Sequence, residues 1–177
     1  MQATLQELGF HVCPQSDFEI PEAVEDGLTF VENALIKARH ACRLTELPAI
    51  ADDSGLEVDA LLGAPGIYSS RYADGAGDQA NNQKLLSELQ GVEDRTARFV
   101  CVIVYMQYPE DPTPIICQGF WEGIIAKQEV GEHGFGYDPL FYVPEENCHS
   151  AELDPMLKKR ISHRAKALVE LQQQLKF

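Results

Sequence analysis

The chain has 177 residues, 45% of them hydrophobic, with 14 Lys and Arg against 28 Asp and Glu for a formal charge of -14. That length allows one domain with a substantial core, or two lobes sharing one, and excludes a pair of ordinary domains. The acidic balance excludes a general nucleic-acid or anionic-membrane binder, so an anionic ligand must meet a local basic patch. No apolar run approaches the roughly 18 residues of a membrane span. Five cysteines (Cys13, Cys42, Cys101, Cys117, Cys148) form no Cys-x-x-Cys pair, and their odd number suits free thiols in a reducing cytoplasm.

In chain order, residues 1–8 read as the end of a helix closed by Gly9, and residues 11–14 as the start of a strand. Thr29-Phe30-Val31-Glu32 has capping-box spacing and leads into a helix over residues 33–41. Residues 48–51 predict a short buried strand, and residues 55–72 a loop-rich stretch with a helical turn near 58–62. Residues 78–90, closed by Gly91, form an amphipathic helix with Leu85, Leu86 and Leu89 on its apolar side. The β-branched and aromatic run 97–106 pairs with 115–119 around a Pro-rich turn, and 120–127 is a further strand. A Gly-rich loop over 133–139, a short extended segment 140–143 and helices over 151–158 and 162–175 complete the chain. Interleaved helices and strands without repeats predict an α/β fold.

Three places invite chemistry. Asp52 and Asp53 follow the strand 48–51; on an extended backbone they point to opposite faces, so one acts and the other supports. They read either as a metal-binding or water-activating pair or as turn acids bonding nearby amides. An aspartyl-phosphatase reading is weaker, because the Asp-x-Asp pattern is absent. Glu32 reads as a cap before a metal ligand, and Glu22, Glu25 and Asp26 supply either a second ligand or a solvated loop. Lys158, Lys159, Arg160, Arg164 and Lys166 crowd nine positions around a helix start capped by Ser162, forming either an anion or nucleobase-carbonyl site or a solvated basic face. In Gly134-Phe135-Gly136, the flanking glycines leave Phe135 free to lie against a ligand ring; the competing reading tucks it into the core. Trp121, Tyr72 and Arg71 are pocket-wall candidates with equal claims as packing.

Taken in order, Thr29-Phe30-x-Glu32-Asn33-Ala34-x-x-Lys37-Ala38, Ala51-Asp52-Asp53-Ser54-Gly55-Leu56, Pro65-Gly66-Ile67-Tyr68-Ser69-x-Arg71-Tyr72, Gly134-Phe135-Gly136-Tyr137-Asp138-Pro139 and Ser162-His163-Arg164 resemble the inosine triphosphate pyrophosphatase family, the dITP/XTP or non-canonical purine NTP pyrophosphatases. The resemblance implies an elongated α/β fold with a long central mixed sheet flanked by helices, two lobes around a nucleotide cleft and a homodimer. It implies Mg2+-dependent hydrolysis of ITP, dITP and XTP to monophosphate and pyrophosphate; the cytoplasmic location and the lack of nucleic-acid or membrane partners are expected from the cysteines, charge and hydropathy above. Carried over by position, it makes Asp53 the catalytic acid and a Mg2+ ligand; Glu22, or else Glu25, is the candidate second ligand on the strength of the acidic stretch itself. Ser54 lies beside Asp53, Phe135 stacks on the purine with Gly136, Tyr137 and Asp138 shaping that wall, and Lys158, His163 and Arg164 hold the base.

The family's opening strand and Thr/Ser-x-Asn-x-x-Lys phosphate loop have no counterpart in residues 1–177. The expectation is therefore one pyrophosphatase domain over 1–177, N-terminally incomplete and weakly hydrolytic. The alternative is a nucleotide-binding or dimerising remnant without catalysis.

Overall fold

The computed structural model describes Leu5 and residues 9–175. The helix expected over residues 1–8 therefore lies outside the described residues, save for Leu5, which is helical and fully buried. Gly9 adopts a φ of +83° and Phe10 N–H donates to Leu5 O at 3.2 Å. Residues 11–14 enter no strand; Pro14 instead leads into a 3-10 turn over Gln15–Phe18.

Helix α1 spans Phe30–Thr45, and its start is the expected cap. Thr29 Oγ1 accepts the Glu32 N–H at 3.2 Å while Glu32 Oε2 reaches back to the Leu28 N–H at 2.8 Å. Strand β1 spans Ala49–Val58, beyond the expected 48–51, and so runs straight through Asp52, Asp53, Ser54 and Gly55 rather than turning there. The low strand propensity of those residues is overridden by the sheet and by Leu56 and Val58, whose alternate side chains are fully buried. Two 3-10 turns follow, Asp59–Leu61 and Gly66–Arg71, then helix α2 at Asp78–Glu88.

Strand β2 covers Thr96–Met106 and β3 covers Ile115–Ile125. The two strands expected at 115–119 and 120–127 are one, because side chains from Cys117 to Ile125 alternate buried and exposed without a break. Strand β4 is Phe141–Val143 and β5 is Cys148–His149, giving the sheet order β1-β2-β3-β4-β5. Ile125 sits opposite Phe141, and Val143 opposite Cys148, in antiparallel ladders. The C-terminal helices are α3, Pro155–Ile161, and α4, His163–Leu175. Helix α3 starts later than expected because Asp154 caps it, accepting from Met156 N–H at 2.8 Å, with Pro155 fitting the first turn.

The chain divides into two compact units. The first holds Met1–Asp53, Cys101–Gly119 and Arg164–Phe177, and its core packs Cys101, Ile103 and Cys117 against Ala167, Leu168, Leu171 and Leu175 of α4. The second holds Ser54–Val100 and Phe120–His163, with a core of Leu56, Val58, Leu85, Leu89, Phe99, Trp121, Leu140 and Phe141. Each fully buried leucine or isoleucine contributes about 1.5 to 3 kcal/mol, so these two clusters hold their units together. All five cysteines are free thiols. Among the described residues, no helix is long and apolar enough to cross a membrane.

Candidate active site

In the first unit the two adjacent acids part company. Asp53 Oδ1 accepts from Lys37 Nζ at 2.8 Å, whereas Asp52 Oδ2 accepts from Arg164 Nη2 at 2.7 Å and from Nε at 3.3 Å. Consecutive side chains on a strand leave opposite faces, so β1 delivers one carboxylate to α1 and the other to α4. Lys37 Nζ also lies 3.1 Å from Glu25 Oε2. Two carboxylates thus meet at one ammonium.

Burial holds the Asp53 carboxyl above the ordinary aspartate range, and the nearby Glu25 charge adds to that effect. Hydrogen bonds from Lys37 and Asn33 oppose it. For Lys37, burial pulls downward, but the two carboxylates outweigh it and its affinity for the proton is raised. Asn33 and Lys37 are four residues apart and share one face of α1, which is how a single helix supplies both contacts. Gly27 is what lets the preceding loop close on this face. A Cβ there would stand 2.6 Å from Glu32 Cβ and 2.7 Å from Asn33 Oδ1, and Gly27 N–H donates to that same Asn33 oxygen at 2.9 Å.

The donor set fits a small hard dication. Mg2+ takes one or two protein carboxylates and completes its shell with water and phosphate oxygens. Asp53 and Glu25 are the hard-oxygen donors of this kind, both now turned to the Lys37 ammonium, while among the described residues no group of three or more His, Cys, Asp or Glu is arranged to hold a metal. Glu22 is exposed on the same loop, and of the two acids considered for this role it is Glu25 that shares Lys37 with Asp53. Glu32 is occupied by its cap.

In the second unit, Phe135 stands 72% exposed on the Gly-rich loop, so the tucked-in alternative is not what forms. Its backbone is nevertheless fixed. Phe135 N–H donates to Asp138 Oδ2 at 2.8 Å, and the same oxygen takes Lys158 Nζ at 2.5 Å. Ser150 Oγ donates to Asp138 Oδ1 at 2.8 Å, so Asp138, only 3% exposed, is an organiser of the loop with both its oxygens committed. Lys158 Nζ lies 5.6 Å from the Phe135 ring centroid, within cation–π range. Tyr137 is buried and donates its hydroxyl to Ser69 O at 2.8 Å. His163 stacks on Phe99, with ring centroids 5.0 Å apart and planes at 16°, and Trp121 joins the same stack. Ser54, half-buried on β1, also belongs to this unit.

The basic run 158–166 spans the end of α3 and the start of α4. Lys158, Lys159 and Arg160 lie in the last turn of α3, where cations complement the helix dipole, and Lys158 and Arg164 have separate acidic partners. Lys37, Asn33, Ser150 and the buried pair Asn81 and Asn82 are structural partners that no candidate role in the sequence anticipates. The four-residue spacing of Asn33 and Lys37 was the signal available.

An α/β chain with a half-buried carboxylate–lysine centre and an exposed, backbone-anchored aromatic has the equipment for acid–base chemistry and for stacking a planar ring. The chain belongs to the Ham1 family, whose profile matches residues 1–174. It is 60% identical over 178 residues to the dITP/XTP pyrophosphatase of Vibrio parahaemolyticus, covering 99% of this chain and 89% of that protein. The solved HAM1 protein of Coxiella burnetii superposes with a TM-score of 0.95 at 51% identity, covering 98% of this chain and 90% of that one. The Staphylococcus aureus Ham1 protein superposes at 0.91 with 41% identity, over 99% and 94% of the two chains.

Proposed function

We propose that this chain hydrolyses non-canonical purine nucleoside triphosphates, ITP, dITP and XTP, to the monophosphate and pyrophosphate. The observation that carries the reading is Phe135, a large aromatic left 72% exposed on a loop whose backbone is pinned by a buried carboxylate. A ring left open to solvent while its backbone is pinned offers a flat face on which a purine can stack. The name carried by the Vibrio relative agrees with that reading.

On this reading Asp53 accepts a proton from the water that attacks the α-phosphorus, and pyrophosphate leaves as the bond between the α-phosphorus and its bridging oxygen breaks. A base works best with a pKa drawn towards the working pH, and burial moves Asp53 in that direction. Lys37 keeps the carboxylate ionised and oriented between turnovers. Asp53 and Glu25 are the residues that would hold Mg2+, which supplies an activated water and a counter-charge for the leaving group. Phe135 stacks on the base, Gly136, Tyr137 and Asp138 form its wall, Ser54 lies beside the reacting phosphate, and Lys158, His163 and Arg164 supply donors. Donors aimed at a 6-keto oxygen are satisfied by hypoxanthine or xanthine and left facing the amino group of adenine, at a cost of about 1 to 3 kcal/mol each. The enzyme acts as a single catalytic domain in a cytoplasmic homodimer.

The test is pyrophosphate release with Mg2+ from ITP and XTP beside ATP and GTP, with Asp53→Asn as control. Release from ITP and XTP that is lost in the variant supports the reading; binding of inosine nucleotides without release favours a remnant.

A further inference from the structure

Helix α2 buries two amide side chains where an amphipathic helix would place apolar ones: Asn81 is 1% exposed and Asn82 3%. Asn81 is spent within its own neighbourhood, taking Ala73 N–H at 2.7 Å and donating to Ser69 O and Ser70 O at 3.3 Å. Asn82 does something different. Its Nδ2 donates to Gly136 O at 3.2 Å, and one helical turn earlier Asp78 Oδ2 accepts Gly136 N–H at 2.7 Å. Gly136 is thus gripped by both its N–H and its carbonyl from one face of one helix.

The residue so gripped is the joint next to Phe135. Gly134 and Gly136 both have positive φ, +88° and +61°, so the aromatic sits between two residues in the left-handed region that glycine favours. Side-chain packing does not fix a ring that is 72% exposed. Its direction is set by three backbone bonds: Phe135 N–H to Asp138, and the two from α2 to Gly136. A cavity of about 320 Å³, lined by Asp78, Asn82, His133 and Gly136 among others, lies against the loop and gives it room to move once a bond is cut.

We propose that Asp78 and Asn82 are positioning residues that aim Phe135, and through it set the affinity for the base without touching the reacting atoms. This rests on the reading that Phe135 stacks on the purine. Asp78 is the stronger half of the clamp, because a carboxylate accepting from an amide makes a charge-assisted bond.

The experiment compares wild type, Asp78→Ala, Asp78→Asn and Asn82→Ala by steady-state kinetics with ITP, calorimetric binding of inosine monophosphate, and amide hydrogen exchange at Gly136. Asp78→Ala raises KM and weakens monophosphate binding roughly fivefold or more while kcat stays within about twofold, the pattern of lost uniform binding. Gly136 N–H exchanges faster in that variant. Asp78→Asn, whose side-chain oxygen still accepts, recovers most of the affinity. If Asn82→Ala does not fold, the two Asp78 variants decide alone. Unchanged KM and binding in folded Asp78→Ala overturns the proposal, as does a loss confined to kcat or a failure of Asp78→Asn to recover. A wild type that neither binds inosine monophosphate nor hydrolyses ITP defeats the functional reading instead; unaltered Gly136 exchange in Asp78→Ala then defeats the clamp on its own.

Discussion

Lys37 donates to Asp53 at 2.8 Å while burial works against the charge on that same carboxylate. Burial is the larger influence, so Asp53 titrates above an ordinary aspartate and the acid limb of kcat/KM against pH lies correspondingly high. Lys37→Met removes the influence that lowers this pKa, so the limb moves further up in pH and the rate at acidic pH falls. Asp53→Asn removes the base and lowers kcat about 100-fold or more across the profile. A pH–rate series on the three proteins checks both shifts; a limb that moves down in Lys37→Met defeats the assignment.

The same shift has a thermodynamic sign. An acid whose folded pKa is raised binds its proton more tightly folded than unfolded, so its contribution to stability falls as pH rises from the unfolded pKa through the folded one. Asp53→Asn escapes that loss and keeps its Lys37 neighbour paired with Glu25. Its Tm at pH 8 is expected to equal or exceed that of wild type, with the gap closing as pH falls into the aspartate range. Calorimetric melts at several pH values test this, and a variant that melts lower at pH 8 contradicts it.

Asp52 and Arg164 tie β1 to α4 inside the first unit through two donated bonds. Their side chains are 27% and 42% exposed, so solvent screening keeps the pair worth about 1 kcal/mol or less. Asp52→Ala is expected to lower the denaturation midpoint slightly and to leave an Arg164 that moves, raising KM more than it lowers kcat. Arg164→Lys keeps the charge but has only one nitrogen to offer and reproduces part of the KM defect. Equal KM values in all three proteins would remove Arg164 from the binding role.

Phe135→Ala removes a stacking surface worth about 1 to 3 kcal/mol, so KM for ITP rises roughly 5- to 150-fold. Because the ring is exposed, thermal stability barely changes. Phe135→Trp retains most of the affinity. Gly134→Ala is the backbone counterpart: at φ +88° its Cβ would collide with the Asp138 carboxylate that anchors Phe135 N–H, and the loop must open. Both changes are read by KM for ITP against KM for GTP, and a folded Gly134→Ala with normal KM would show that the loop does not need its anchor.

What the sequence disclosed follows the range of the forces involved. The Thr29–Glu32 cap was legible because both partners lie within one helical turn, and the opposed directions of Asp52 and Asp53 follow from strand geometry alone. The course of β1 through Asp-Asp-Ser-Gly was not legible, since local propensity favours a turn and only pairing within the sheet overrides it. Asp138 shows the same limit within the site. Its motif marked it as shaping a ligand wall, but nothing local named the partners 12 and 20 residues away, Ser150 and Lys158, that make it the loop's anchor as well. Long-range hydrogen bonds leave no periodicity in a sequence.

Arg95 carries the last expectation. It is 8% exposed, and its nitrogens donate to three backbone carbonyls: Ile125 O at 2.7 Å, Leu89 O at 2.8 Å and Ala126 O at 2.9 Å. Burial lowers its pKa, but a guanidinium stays charged at any physiological pH. The carbonyls stand in for a counter-ion, closing the end of α2 against the end of β3 inside the second unit. Arg95→Ala leaves three carbonyls short of a donor and a void where the side chain was, at about 3 to 5 kcal/mol in all. Arg95→Lys offers a point charge in place of a planar fork and recovers only part of this. Urea denaturation should show a large fall in midpoint for the alanine variant and an intermediate one for lysine. Since the core around Leu89 and Ile125 also backs the Phe135 loop through Tyr137 and Leu140, the alanine variant should lose ITP turnover on warming before wild type does.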